Sequence, residues 1–159
     1  DRRVDVVQVA LGSSAGTAEF YIRDQHGRSS FDEKWEESGY RKKLNVQVRT
    51  IQSLIETYGI PKYVKLDVEG HELEVVRGLK SKIDLISFEY HLDGQDYASK
   101  LELIRLLERF GSLRFNILPD GAKFFLWPEF VSLEEFHDVF PDRLKTTKYQ
   151  GKTTISGCR

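Results

Sequence analysis

Tyr63-Val64-Lys65-Leu66-Asp67-Val68-Glu69-Gly70-His71-Glu72-Leu73-Glu74-Val75-Val76-Arg77-Gly78-Leu79 reads as a strand running straight into a helix. Val64, Leu66 and Val68 give the strand its apolar content, and Leu73, Val76 and Leu79 then recur every three residues. Glu72, Glu74 and Arg77 are expected to point outward from that helix. Asp67, Glu69 and Gly70 sit at the junction, the edge at which open parallel sheets bind their ligands. Ile83 to Tyr90 reads as the next strand. The stretch between the two strands is long enough for the helical crossover that parallel neighbours require, so the segment predicts a βαβ unit, right-handed by default.

Upstream, Val4, Val6, Val7, Val9, Ala10 and Leu11 form an almost continuous apolar run, as in a strand covered on both faces. Gly12-Ser13-Ser14-Ala15-Gly16 ends it. From Thr17 to Arg23, Ala18, Phe20 and Ile22 alternate with Glu19, Tyr21 and Arg23, which predicts an edge strand with one wet face. Residues 24–44 are polar but interrupted by Phe31, Trp35 and Tyr40, as in a loop or a lid carrying aromatic contacts. Val46 and Val48 recover a short strand. Ile51, Leu54, Ile55 and Tyr58 then follow at helical spacing behind a Thr50 cap and stop at Gly59 and Pro61.

Downstream, Leu101, Leu103, Ile104, Leu106, Leu107 and Phe110 give the widest apolar helical face of the chain, with Gly111 as its cap. Leu113, Phe115 and Ile117 alternate up to Pro119-Asp120-Gly121, and Phe124 to Trp127 run away from it, predicting a hairpin. Ser132 and Glu135 have the spacing of a capping box. The organisation expected is one domain over 1–141 and a polar carboxyl-terminal extension over 142–159.

The totals exclude several classes. With 24 basic and 25 acidic residues the formal charge is -1, too small a field to gather nucleic acid or an anionic membrane. The single cysteine, Cys158, allows no internal disulfide or cysteine-rich metal site, and a reducing, cytoplasmic setting is the default. No apolar run approaches the roughly 18 residues of a membrane span. The absence of methionine, in a chain that opens directly into a strand, suggests a piece of something longer.

Strands and helices alternating up to a final hairpin predict an α/β fold, a mostly parallel sheet closed by an antiparallel hairpin. That ending is similar to the Rossmann-like fold of class I S-adenosylmethionine-dependent methyltransferases. Val9-Ala10-Leu11-Gly12, Gly16-Thr17-Ala18, Ser29-Ser30 and Val48-Arg49-Thr50-Ile51-Gln52-Ser53-Leu54-Ile55 carry the likeness further. With Lys65-Leu66-Asp67-Val68-Glu69-Gly70, Glu72, Gly78-Leu79 and Phe88-Glu89-Tyr90-His91, the chain resembles the FkbM methyltransferase family over roughly residues 4 to 91. His71 stands where that family usually has a small residue, and at the first turn of a helix no consequence is expected of it. The family's glycine-rich strand-to-helix turn, which approaches the methionine part of the cofactor, and the acidic residue that holds the ribose do not occur here. The amino-terminal cofactor-binding half is thus expected to be missing from the sequence, which predicts either the carboxyl-terminal part of a longer enzyme or a domain that cannot bind the cofactor.

The resemblance implies an S-adenosylmethionine-dependent enzyme that methylates a hydroxyl of a sugar, polyketide or other small metabolite. It also places Ala10 and Leu11 on the strand that passes the adenine ring. Asp67 and Glu89 end neighbouring parallel strands, which lie about 4.8 Å apart, so their carboxylates are expected to share one rim. Transfer to oxygen needs a base for the acceptor's proton, here His91 or a carboxylate, or a metal that lowers the hydroxyl's pKa. Asp67, Glu69, Glu89 and His91 are the catalytic candidates, with Asp67 also facing the cofactor. A Mg ion on Asp67 and Glu89 is possible, although two carboxylates are few for it. Asp67 could instead cap the following helix, Glu89 could pair with Lys65, and His91 could be a solvated loop residue. Lys65, mid-strand, is expected in an internal ion pair. His26, His137 and Cys158 have no partners at metal spacing. A non-catalytic Rossmann-like module that binds a partner through exposed strand edges is the competing reading, and the oligomeric state is open.

Overall fold

A computed structural model describes residues 3–22, 31, 41–89, 97–118 and 122–136. The elements are β1 (Ala10–Leu11), β2 (Gly16–Ile22), β3 (Lys42–Arg49), α1 (Ile51–Tyr58), β4 (Val64–Leu66), α2 (Glu72–Arg77), β5 (Ile86–Phe88) and α3 (Tyr97–Glu108). His91 and the expected extension over 142–159 lie outside the described residues, as does most of the 24–44 loop.

The chain is mixed α/β, and its described strands form two small sheets rather than one. In the first, β3 is central, with β1 parallel to it and β2 antiparallel. β2 is therefore an edge, as its alternation predicts. β3 begins at Lys42, earlier than Val46, because Lys42 to Val48 pair residue by residue with Gly16 to Ile22. In the second sheet β4 and β5 run parallel, Leu66 opposite Phe88, with α2 between them in sequence, which is the expected βαβ order.

Two expectations are corrected at the ends. The apolar run from Val4 forms a strand only at Ala10–Leu11, and Val4 and Val6 are exposed rather than covered on both faces. No described strand pairs with residues 4–9, so Val4 and Val6 stay in water. The terminal hairpin is reduced to an isolated antiparallel bridge between Phe115 and Val131 and a hydrogen bond from Leu126 N to Ile117 O. Asn116 explains why a ladder does not form. Buried at 1% exposure, its side chain donates to the carbonyls of Trp127 and Glu129 and accepts from the backbone N–H groups of Trp127 and Ile117. One amide thus takes the partners that a second strand would have used.

The core gathers Ile51 and Ile55 of α1, Val75 and Val76 of α2, and Leu103, Ile104 and Leu107 of α3 around Leu66, Ile86 and Phe88 of the small parallel sheet. α1 starts as predicted, with the Thr50 hydroxyl accepting from Ser53 N, and the Ser132–Glu135 capping box forms in both directions.

α2 departs from its periodicity. Glu72, expected on the outer face, is 1% exposed, and its carboxylate meets Lys100 Nζ of α3 at 2.7 Å. Phe88 lies beneath the same ammonium, its ring centroid 5.9 Å away. Packing α2 against α3 leaves no solvent for either charge, and each satisfies the other. Lys100→Met should therefore cost about 3–5 kcal/mol in urea unfolding, because it strands a buried carboxylate. The double change Glu72→Gln/Lys100→Met should recover at least half of that loss.

Candidate functional site

The turn from β4 into α2 is tight. Glu69 and Gly70 both take left-handed backbone, φ 50° and 89°, and His71 N closes the turn on Val68 O at 3.2 Å. Glycine adopts that conformation freely, whereas at Glu69 it costs about 1–2 kcal/mol, which surrounding contacts must offset. Glu72 supplies one such contact, since its second carboxylate oxygen accepts from Gly70 N at 3.4 Å. The buried ion pair and the carboxylate-bearing turn are thus tied through one side chain.

Asp67 and Glu89 each follow the paired residues Leu66 and Phe88, so both stand at the carboxyl end of the small parallel sheet. Their surroundings differ. Glu89 is 8% exposed, while Asp67 is open to solvent and paired with Lys65. Lys65 is not internal: residues 65 and 67 share the outer face of the strand, and the lysine side chain is 64% exposed. Asp67 does not occupy the cap position of α2, which belongs to His71, whose side chain makes no capping bond. Among the described residues no three His, Cys, Asp or Glu side chains converge as a metal site, and two carboxylates, one of them engaged by Lys65, do not make a Mg cage.

A cavity of about 600 Å³ at the carboxyl end of the parallel β1–β3 pair is lined by residues 12–19, Tyr21, Phe31, Val48, His71 and Glu74. Ala10 and Leu11 lead into it, but Asp67, Glu69 and Glu89 do not line it. Its upper wall is the Gly12–Gly16 turn, held close to α2 by two contacts. The Ser13 hydroxyl bonds the Glu74 carboxylate, and the Gly12 carbonyl packs so near Gly78 that a Cβ there would come within 2.5 Å of it. The Gly78-Leu79 pair at the end of the helix is therefore a requirement of close backbone approach.

The face of β2 expected to be wet is this cavity's wall. Tyr21 is 6% exposed, with Lys43 over its ring and its hydroxyl bonded to Glu19. His71 enters from the other side and stacks on Phe31, ring centroids 4.6 Å apart, while Phe31 also meets Phe20 at 5.2 Å. Both residues escaped the sequence reading. Tyr21 looked solvent-facing by alternation, and the signal for His71 was its place directly after Gly70, where a left-handed turn aims the next side chain off the helix axis.

Charge within the cavity follows from these contacts. The Ser13 hydrogen bond, helped by Arg77, holds the Glu74 carboxyl below the usual carboxylate range, and Lys43 does the same for Glu19. Burial holds the His71 imidazole below its ordinary value, against the opposing pull of Glu74 and Glu72. His71 is therefore neutral and the two carboxylates ionised at pH 7.

A sequence model of the methyltransferase FkbM domain matches residues 1–113. The chain belongs to the FkbM methyltransferase family. Comparison with curated proteins returned no match, and comparison with solved structures returned none either. The FkbM assignment covers every element from β1 through α3 and stops where the expected hairpin begins.

Three outcomes test this geometry. Gly78→Ala should destabilise the FkbM domain by about 1–3 kcal/mol, because backbone rather than a flexible side chain must move. Gly16→Ala, with nothing within 4 Å of the added Cβ, should change stability by less than about 0.5 kcal/mol in the same thermal melt. Because the folded state depresses the His71 pKa, His71 contributes stability that is complete above its unfolded pKa, about 6.5, and is lost as pH falls through the lower folded value. Urea midpoints followed downward from about pH 7.5 should thus decline more steeply in the parent than in His71→Gln.

Proposed function

We propose that the protein is an S-adenosylmethionine-dependent methyltransferase acting on a hydroxyl of a sugar, polyketide or other small metabolite, and that this chain forms the carboxyl-terminal part of its Rossmann-like domain. The observation that carries the reading is the cavity at the carboxyl end of the parallel β1–β3 pair, in a chain of the FkbM family. Its volume falls in the range of small-molecule sites, about 300–1,000 Å³. Among the described residues its only charged side chains are the Glu19 and Glu74 carboxylates, which suits a cofactor bearing a positive sulfur. When bound, that cofactor supplies an electrophilic methyl group.

The chain's own residues then divide the work. Ala10 and Leu11 lie along the adenine ring of the cofactor. Asp67 and Glu69, which stand outside the cavity wall, orient the acceptor at the strand end, and Glu89 or His91 receives the hydroxyl proton as the methyl arrives. No step is assigned to a metal. The partner we assign is a small acceptor rather than nucleic acid or membrane. Among the described residues no helix is long and apolar enough to cross a bilayer, and a cytoplasmic setting is part of the proposal.

Calorimetric titration of the full-length protein with S-adenosylhomocysteine tests the cofactor, and a saturable heat with an upward thermal shift is expected. Asp67→Ala should lower methyl transfer at least tenfold. It should change stability by no more than about 1 kcal/mol, since the ion pair it removes is solvated. A non-catalytic module is favoured by one observation, the engagement of Asp67 by Lys65 away from the cavity wall, and it predicts no heat at all.

A further inference from the structure

His71 is the only described titratable base in the cavity wall, and nothing in the functional reading uses it. It projects from the head of α2 with one ring face covered by Phe31, and its Nε2 lies 3.9 Å from where a Gly12 Cβ would stand. The side chain therefore reaches across the cavity toward the Gly12–Gly16 turn. The charged and titratable groups facing it are Glu74 and Glu72 on its own helix and, on β2, Tyr21 and Glu19, with Lys43 of β3 behind Glu19. Arg77 pairs with Glu74 beyond the cavity wall. Among the described residues no lysine or arginine lines the space itself. A proton on His71 would add a positive charge to a wall whose other described charged side chains are the Glu19 and Glu74 carboxylates.

We propose that His71 is the charge-reading residue of this cavity: neutral, it admits a positively charged sulfonium ligand, and protonated, it turns that ligand away while still admitting the neutral thioether of the same shape. The proposal rests on the functional reading above and deepens it, because it assigns to one side chain the distinction between the methyl donor and its spent form. The physical basis is Coulombic. Two like charges sharing one partly solvated cavity repel by enough to change an equilibrium about tenfold, whereas an uncharged ligand meets only the polarity of the ring. Linkage makes the effect reciprocal, so the sulfonium ligand must also resist protonation of His71. Glu19 and Glu74, both held below the usual carboxylate range, stay ionised down to about pH 5.5, which leaves the histidine as the group that changes.

The experiment is calorimetry of the full-length protein with S-adenosylmethionine and, separately, S-adenosylhomocysteine, at about pH 8 and about pH 5.5, on either side of the ordinary imidazole value. In the parent the sulfonium ligand should lose at least twofold more affinity than the thioether on acidification, since an imidazole held below about 6.5 is incompletely protonated at about pH 5.5. His71→Gln, which keeps a hydrogen-bonding side chain but does not titrate, should make both ligands insensitive to pH. Nuclear magnetic resonance of the His71 Cε1–H signal supplies a readout independent of binding heat: saturating S-adenosylmethionine should lower its titration midpoint, and S-adenosylhomocysteine should not. Equal losses for the two ligands would overturn the proposal, as would a difference that persists in His71→Gln or an unmoved His71 midpoint, and each would leave the methyltransferase reading standing. Failure of both ligands to bind at about pH 8 would remove the functional reading and this inference together.

Discussion

The buried pair of Glu72 and Lys100 is the constraint on which the described fold turns. Its two charges, 1% and 5% exposed at the side chain, hold α2 against α3, and the same carboxylate accepts from Gly70 in the turn after β4. Taking both groups from water is costly, and the geometry repays that cost only while the partners stay together. The two helices and the strained Glu69-Gly70 turn are therefore positioned by one interaction. A purely apolar contact there would pack as well without fixing the turn that carries Asp67 and Glu69.

From that turn the structure separates two features expected to coincide. The carboxylates of Asp67 and Glu89 lie at the end of the small parallel sheet, whereas the cavity lies one step away, between the Gly12–Gly16 turn, β2 and the head of α2. Close backbone contact makes this possible, since Gly78 lets α2 approach the Gly12 carbonyl and Ser13 secures the turn to Glu74.

Much of the order of elements was legible in the residues. Thr50 followed by Ile51 and Ile55 announced α1, the Ser132–Glu135 spacing announced its capping box, and the Lys65–Gly70 motif placed a strand-to-helix turn with glycine at a left-handed position. Each signal is local and needs only neighbours within a turn or two. Failures came where a distant partner overrode the local pattern. Glu72 looks solvated by periodicity until Lys100 of α3 arrives, Tyr21 looks wet until the cavity wall encloses it, and Asn116 replaces a ladder that alternation alone would have drawn.

The amino-acid sequence by itself determined family membership, the βαβ order and the presence of acidic side chains at one strand edge, because these depend on short-range pattern and backbone preference. Tertiary structure alone decided that His71, Glu74 and the Gly12–Gly16 turn enclose one space, that Asp67 answers to Lys65 in solvent, and that Glu72 is a buried anchor. Enclosure, desolvation and charge pairing are properties of residues brought together from different elements, and no periodicity within one element encodes them.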